Sequence, residues 1–596
     1  IPTAAVAGIS GQFYQQFAVT ITAATAISLL VSLTLSPALA ALLLRPHGEK
    51  QTGLLMRPVM WALAQFDRGF DRASDGYSWG TTRLVRAPAI MLALFGGLLL
   101  LTDHQFGKVP AGFIPEQDQG YYITVVQLPP GSSLERTDQV VRQATASLLD
   151  IEGVENAAVF AGFNGATFTT ESNTGVIFFT TTPFDERAEK GIVAAEVLGQ
   201  ARQRMAAITD AAIFVIAPPP VRGIGTGGGF KMMLQDTGNV GPAALEQAAR
   251  ALSGAANADP GLVAVFSLYS TGTPRVWAEI DRERAEMLNV PVADVHSALE
   301  VYLGSAYVND FNLFGRTYQV IAQADSDYRQ SVEDVARLRT RSADGAMVPL
   351  GAVATFHDTT GPLRQPRYNL YPAAAVQGQA LPGVSSAEAL EKMEALAAEV
   401  LPAGISFEWT ELSYQEKNTE DTAALVFAFA VLFVFLVLAA QYESWALPAA
   451  VILIVPMVLL SAITGVWLAG LDNNILVQIG FVVLVALASK NAILIVEFAK
   501  QAEDEGFDRW EAAVQAARTR LRPIVMTSLA FILGVVPLML ATGAGAEMRQ
   551  ALGVSVFSGM LGVTVFGLLF TPAFYVAVRA LEDRVRGTAR AARQPG

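Results

Sequence analysis

The sequence predicts an α-helical polytopic membrane protein interrupted by one large α+β block. Three observations predict it. The first is composition. Of 596 residues, 52% are hydrophobic and only 16% charged, against about 25% charged in ordinary soluble domains. Mean hydropathy is +0.38. The second is distribution: the apolar surplus gathers into runs long enough to cross a bilayer. The third is charge. Residues 87–422 hold 22 basic and 39 acidic groups, whereas the rest of the chain holds 19 basic and 15 acidic. An acidic middle between slightly basic ends fits a block outside the cytoplasm, flanked by membrane segments. Such a composition excludes a disordered chain, a basic nucleic-acid-binding protein and a simple soluble enzyme.

Seven segments are apolar enough to span: roughly 17–44, 88–102, 423–440, 446–469, 475–499, 523–541 and 552–578. The second is short, whereas the first and last exceed the about 20 residues a span needs, so tilt or interfacial extension is expected. Orientation follows from Lys and Arg near the span ends. Arg45, Lys50, Arg57, Arg68, Arg72, Arg83 and Arg86 lie in the first link. Lys500, Arg509, Arg518, Arg520 and Arg522 lie in another, and Arg579, Arg584, Arg586, Arg590 and Arg593 in the tail. Alternating spans put all three clusters in the cytoplasm and residues 103–422 outside. The chain begins at Ile1 in mid-pattern, with no basic leader before the first apolar run, and is expected to be the C-terminal part of a larger protein.

Between the first two spans, Leu54, Leu55, Met60, Trp61, Leu63, Phe66 and Phe70 alternate with Arg57, Asp67, Arg68 and Asp71, and Pro58 suits a helix start. This reads as an amphipathic helix on the cytoplasmic membrane surface.

The α+β block reads as two rounds of strand–helix–strand–strand–helix–strand, the split βαβ or ferredoxin-like pattern. In the first round, 121–128, 154–160, 174–181 and 212–217 are strands, and 132–150 and 186–208 are helices. Ser132 is placed as the cap of the first helix, with Glu135 three residues on. In the second, 229–234, 263–269, 374–379 and 405–410 are strands, and 242–256 and 385–400 helices. Residues 271–365 interrupt this round as an inserted subdomain marked by Tyr302, Tyr307, Asn309, Asp310, Asp344 and Gly345.

Lys490 is the sharpest single residue. It stands deep in VVLVALASKNAILIVEF, where an ammonium costs a few kcal/mol on insertion scales. It is expected to face a protein interior and to meet a carboxylate. Snorkelling is the alternative, disfavoured by its depth, and Glu497 shares about the same helix face. No Asp or Glu lies deep in any visible span, so the partner is expected upstream of this chain. In RTRLRPIVMTSLAFILG, Arg520 and Thr527 stand seven apart on one face. On spacing alone Arg520 reads as a membrane-edge anchor and Thr527 as a packing hydroxyl. Pro523 suits the start of that span.

In the first α+β round, Phe160, Phe163, Phe168, Phe178, Phe184 and Phe214 cluster in the text. Phe160 and Phe178 fit a strand core. Phe163 and Phe168, in GFNGATFTTESN, fit a loop lining an apolar cleft. The glycine run 223–229 lacks the Lys-Ser/Thr of a phosphate loop and reads as a connector. There is no Cys, and His47, His104, His296 and His357 are too scattered for a metal centre. No cofactor is expected, and no nucleophile or metal constellation for an enzyme is visible.

The strings ASKNAILIVEFAK (488–500) and RTRLRPIVMTSLAFILGVVPL (518–538) resemble the resistance-nodulation-division transporters, in particular the hydrophobe/amphiphile efflux pumps. Supporting strings are LSPALAALLLRP (35–46), PAGFIPEQDQGYYITVVQLPPGSSLERT (110–137), YVNDF (307–311), SYQEK (413–417) and QYESW (441–445). The resemblance covers essentially the whole chain, in order, as the C-terminal half of such a pump. It divides the chain into a span in 1–45, a cytoplasmic helix in 46–86 and a span in 87–104. A first porter module follows in 105–225 and a second in 226–422, with a docking insertion at 271–365. Five spans in 423–580 and a tail in 581–596 complete it.

The resemblance implies a proton antiporter, not an enzyme, driven by the proton gradient. It implies a homotrimer in the bacterial inner membrane with a large periplasmic region, surrounded by lipid. A periplasmic adaptor and an outer-membrane channel complete the duct, and small amphiphiles (drugs, detergents, dyes) pass through it. Lys490, Arg520 and Thr527 match its proton relay, whose aspartates lie in a span this sequence lacks. Phe160, Phe178, Ile123 and Val125 match its deep pocket, Phe214 its outer pocket, and 162–173 its switch loop. Here the chain departs from the family: the usual loop phenylalanines fall at Gly165 and Thr167, with Phe163 and Phe168 displaced, and a pocket arginine falls at Phe266. A more apolar outer pocket is the implication, and Ile123 argues against the metal-exporting branch. The alternative function is a membrane-embedded scaffold or protein-export accessory, in which Lys490 is only a packing contact.

Overall fold

The structure is a computed structural model and describes residues 8–43 and 57–591. Arg45, Lys50, Leu54, Leu55 and Arg593 therefore lie outside the described residues.

Four helices open the chain: α1 (Gly8–Leu33), α2 (Leu35–Leu43), α3 (Arg57–Val85) and α4 (Pro88–Lys108). An extended run then leads into the first α+β unit. It contains β1 (Tyr121–Gln127), α5 (Leu134–Leu149), β2 (Val154–Asn164), β3 (Thr169–Thr181), α6 (Phe184–Lys190), α7 (Ala194–Ala206) and β4 (Ala212–Ile216). The second unit starts with β5 (Phe230–Asp236), α8 (Pro242–Ala258) and β6 (Leu262–Phe266). The inserted subdomain carries β7 (Thr273–Ile280), α9 (Arg282–Met287), α10 (Val292–Leu299), β8 (Ala306–Leu313), β9 (Arg316–Ala322), α11 (Val332–Arg337), β10 (Arg339–Arg341), β11 (Met347–Pro349), α12 (Leu350–Val353) and β12 (Ala354–Gly361). The second unit closes with β13 (Arg367–Tyr368), β14 (Tyr371–Ala380), α13 (Ser386–Val400) and β15 (Ile405–Trp409). Six helices end the chain: α14 (Glu411–Tyr442), α15 (Ala446–Ile452), α16 (Val455–Leu468), α17 (Ile475–Asp504), α18 (Arg509–Met539) and α19 (Ala546–Ala591).

Among the described residues, six helical stretches are long and apolar enough to cross a membrane: Gly8–Leu43, Pro88–Lys108, Ala446–Leu468, Ile475–Asp504, Arg509–Met539 and Ala546–Arg584. Phe427–Tyr442 is a shorter apolar helix. α19 is the hub and packs against α15, α16, α17 and α18. Small residues let it approach: a Cβ on Gly559 would overlap Leu484, and one on Gly480 would overlap Ser555.

The two α+β units repeat one another. The first sheet runs β2-β3-β1-β4. In the second, β14 pairs with both β5 and β6, and β15 lies on the far side of β5. All these pairings are antiparallel. In the first sheet, strand alternation divides the side chains between two faces. Tyr122, Val126, Ile177, Phe179 and Val215 pack on one face with Val141 of α5 and Ala201 of α7. Ile123, Val125, Val176 and Ile216 point the other way, against Phe266 of the second unit.

Several local expectations are corrected. The helix cap is Ser133, not Ser132, and its side chain accepts from the Arg136 amide. The stretch 186–208 is two helices, because Gly191 turns left-handed (φ +70°) and ends α6. The stretch 162–173 is mostly a β-hairpin: β2 and β3 pair as far as Asn164 and Thr169. Asn164 Oδ1 accepts from the amides of Ala166 and Thr167 and fixes the turn. α18 begins at Arg509, capped by Asp508, and Pro523 lies inside it. Neighbouring helices make up for the bond a proline removes, so it need not mark a helix start.

Candidate functional site

Lys490 is the sixteenth residue of the 30-residue α17, about 22 Å from its first residue at 1.5 Å per residue. Its side chain is exposed on a face that no described element covers. Among the described residues, no carboxylate pairs with it. Thr527 of α18 is also exposed, and its hydroxyl donates back to the Ile524 carbonyl at 3.0 Å. Arg520 is half-buried, its guanidinium 3.2 Å from the ring centroid of Phe498 on α17, and its Nε has no hydrogen-bond partner. Arg518 and Arg522, four residues apart, point instead to α3 and pair with Asp75 and Asp67. Among the described residues, no hydrogen bond or ion pair joins Lys490, Arg520 and Thr527 to one another.

Next to the first and last of these lies a pair that the sequence alone does not single out. Asn491 and Ser528 are both buried, and Asn491 Nδ2 donates to Ser528 Oγ at 3.3 Å across the α17–α18 seam. These residues directly follow Lys490 and Thr527. One step back along an α-helix turns the side chain by about 100°. The two helices are consecutive and antiparallel, so the step turns oppositely in space and brings Lys490 and Thr527 out on the same side of the seam. The chain has no native Cys, so the geometry is testable: Lys490→Cys with Thr527→Cys should cross-link through a short bismaleimide. Adding Asn491→Leu leaves the Ser528 hydroxyl unpaired, at about 1–3 kcal/mol, and should sharply reduce that cross-link. Unchanged yield would show that packing alone sets the register.

The aromatic residues gather on the open face of the first sheet. Phe168, Phe163, Phe160 and Phe178 form a chain of edge-to-face contacts with centroids 5.9, 6.3 and 6.1 Å apart. Phe160 and Phe168 are exposed, at 49% and 67%, so this end is an apolar surface rather than a core. Phe168 is held left-handed at φ +56°, which turns its ring outward from the hairpin tip. Ile123 lies opposite Phe178, and Val125 opposite Phe214. Val125 is fully buried and lies on this same face, clustered with Val176 and Phe266. Phe214 stacks on Phe266 at 4.1 Å with 14° between planes, closing the seam between the two units. Beside it Arg202 of α7 donates to Gln379 of β14 and, at 3.2 Å, to the Val215 carbonyl. Burial lowers the Arg202 pKa, and the Glu116 carboxylate opposes it. Burial likewise pushes the Glu116 carboxyl up, with Arg202 opposing.

A cavity of about 370 Å³ lies where the helices meet the α+β units. Phe113, Ile114, Leu390 and Leu412 give it apolar walls, and Glu116 and Asp472 an acidic edge.

The described residues form a bundle of helices apolar enough to span a membrane, with a cation at mid-helix, joined to paired α+β units that carry an aromatic face. The AcrB/AcrD/AcrF family model matches residues 1–579, and the chain belongs to that family of resistance-nodulation-division transporters, proteins of the bacterial inner membrane. It is 40% identical over 584 residues to the toluene efflux pump membrane transporter TtgB of Pseudomonas putida, covering 98% of this chain and 55% of the relative. It is 38% identical over 586 residues to the multidrug export protein AcrF of Escherichia coli, covering 97% and 56%. With the multidrug resistance protein MdtF of Escherichia coli it shares 35% over 598 residues, covering 98% and 56%. The chain thus spans about half the length of the curated relatives it matches.

Proposed function

We propose that this chain forms part of a proton-driven exporter of hydrophobic or amphiphilic compounds (drugs, solvents, detergents and dyes), drawn from the periplasm or the outer leaflet of the inner membrane. The observation that carries the reading is Lys490, a cation at mid-helix with no counter-charge among the described residues. A charged group so placed is a functional one by default. Its carboxylate partners belong to polypeptide outside this chain. Proton uptake by those partners changes which of them Lys490 pairs with, and the helices shift between the two pairings.

The two α+β units act as split βαβ porter modules, and their repeated strand orders support this. The Phe168–Phe163–Phe160–Phe178 face offers apolar, geometrically undemanding contacts, suited to substrates that share hydrophobicity rather than shape. An amphiphile leaving the lipid would first meet the cavity lined by Phe113 and Leu412. The relatives' names, toluene efflux and multidrug export, fit this substrate class. The working unit is a homotrimer joined through residues 271–365 to an outer-membrane channel and sealed by a periplasmic adaptor. The proton gradient is the energy source, with no cofactor.

Reconstitution tests the reading. In proteoliposomes containing the complete polypeptide, an imposed pH gradient should drive movement of a lipophilic dye such as ethidium. Adding dye should in turn accelerate proton release. Proton-independent dye movement, or none, would overturn it.

A further inference from the structure

We propose that Phe113 is the joint through which movement of α17 reaches both α+β units, with Ser386 and Glu416 as positioning residues. The proposal rests on the proton-driven reading above. The extended run between α4 and β1 lies against the start of α17 like a short strand. Asn473 N donates to the Pro110 carbonyl at 2.9 Å, Gly112 N donates to the Asn473 carbonyl at 3.4 Å, and Ala111 and Asn473 form a parallel bridge. The fit is close: a Cβ on Gly112 would overlap the Asp472 carboxylate.

Phe113, itself buried, has both backbone groups engaged at this place. Its carbonyl accepts from the Ile475 amide, the first residue of α17, at 3.0 Å. Its amide donates to Ser386 Oγ, on the first residue of α13, at 3.2 Å. Ser386 Oγ in turn donates to the buried Glu416 carboxylate of α14 at 2.6 Å. One residue thus links the helix carrying Lys490, the run that leads into β1 of the first unit, α13 of the second unit and α14 beyond it.

The parts around the joint are stiff. Asn474 caps α17, its Oδ1 accepting from the amides of Leu476 and Val477 at 3.0 and 3.2 Å. Its Nδ2 donates to Asp472 at 2.8 Å, which secures the preceding link as well. The first turns of α14 are tied to the second unit by Lys231–Glu411 at 2.6 Å and Lys417–Glu394 at 3.1 Å. Intrahelical bonds fix the rise per residue, so an axial shift at Lys490 arrives undiminished at Ile475. A backbone hydrogen bond keeps its donor and acceptor about 2.7–3.2 Å apart. Phe113 therefore follows α17 and carries Ser386 with it. Helix shifts of about 1–2 Å are the ordinary currency of such transitions.

The joint predicts a specific defect, uncoupling. In the proteoliposomes above, containing the complete polypeptide, proton flux is followed with an internal pH dye and export with ethidium. Ser386→Ala should lower export about tenfold while proton flux per transporter changes less than about twofold, the scale of one lost buried hydrogen bond. Ser386→Thr, which keeps the hydroxyl, should retain coupling. Lys490→Ala, measured alongside, should lose both fluxes. If wild-type vesicles show no proton-linked export, the functional reading fails. If they do, and Ser386→Ala leaves both fluxes unchanged or lowers both in proportion, the joint is refuted and the functional reading stands.

Discussion

Exchanging Lys490 for alanine is expected to abolish proton-driven export while leaving the amount and assembly of the protein unchanged. The residue is exposed on an uncovered face of α17, so its removal opens no cavity among the described residues. An ammonium at mid-bilayer costs about 2.5–3.5 kcal/mol on insertion scales, so the alanine variant should if anything insert more easily. On the proposed reading, what the substitution removes is the charge whose pairing couples proton uptake to export. Export should fall at least a hundredfold, about 2.7 kcal/mol at 1.36 kcal/mol per decade. Lys490→Arg keeps the charge but replaces a compact ammonium with a planar fork, and should recover only part of the rate. The measurement is dye export under an imposed pH gradient, normalised to protein and checked for oligomer by size exclusion. Wild-type export in the alanine variant would end the relay role.

Lys490 is legible because its chemistry conflicts with its surroundings, and a single conflict in an apolar run is visible in one sequence. Asn491 and Ser528 are not, although they meet across the seam between α17 and α18. Small uncharged polar residues are common in membrane helices, and nothing local says which two will meet. The same holds for the joint at Phe113. It starts from the backbone groups of Phe113, which carry no sequence signature, and its partners stand far apart in the chain.

The strand and helix spans of the α+β region follow the alternation of the text closely, because buried faces impose a period of two or of 3.6. The departures fall where one residue decides. GFNGATFTTESN reads as loop because of its glycines. Yet Gly162 is a strand residue at φ +80°, where the register of β2 and β3 shifts between Ala161 and Phe163, and pairing resumes beyond it. That shift sets Phe163 on the aromatic face. Pro523 reads as a helix start only under a rule from water-soluble helices. Inside a bundle, neighbours can replace the missing bond.

Arg187→Ala is expected to be the most destabilising single change in the first α+β unit. The Arg187 side chain is 4% exposed and that of its partner Asp118 14%, with 2.7 Å between Nη2 and Oδ2. The contact is close but not aligned as a hydrogen bond. The guanidinium also donates through Nε to the Thr182 carbonyl at 3.1 Å and lies 4.7 Å from the Phe184 ring centroid. Asp118 accepts from the Gly120 amide at 2.9 Å, so the pair fastens the run entering β1 to the start of α6. Burying a pair is nearly neutral overall, but removing one member strands the other charge, at about 3–5 kcal/mol. In the detergent-solubilised protein, protease protection of residues 115–217 should be lost about 10 °C or more below wild type. The informative companion is Asp118→Leu with Arg187→Met. With no charge left to strand, it should recover most of that loss, even though it removes more polar contacts than the single change. If the double variant is no more stable than Arg187→Ala, the ion pair is not the cause, and the Thr182 carbonyl and the Phe184 ring hold the unit instead.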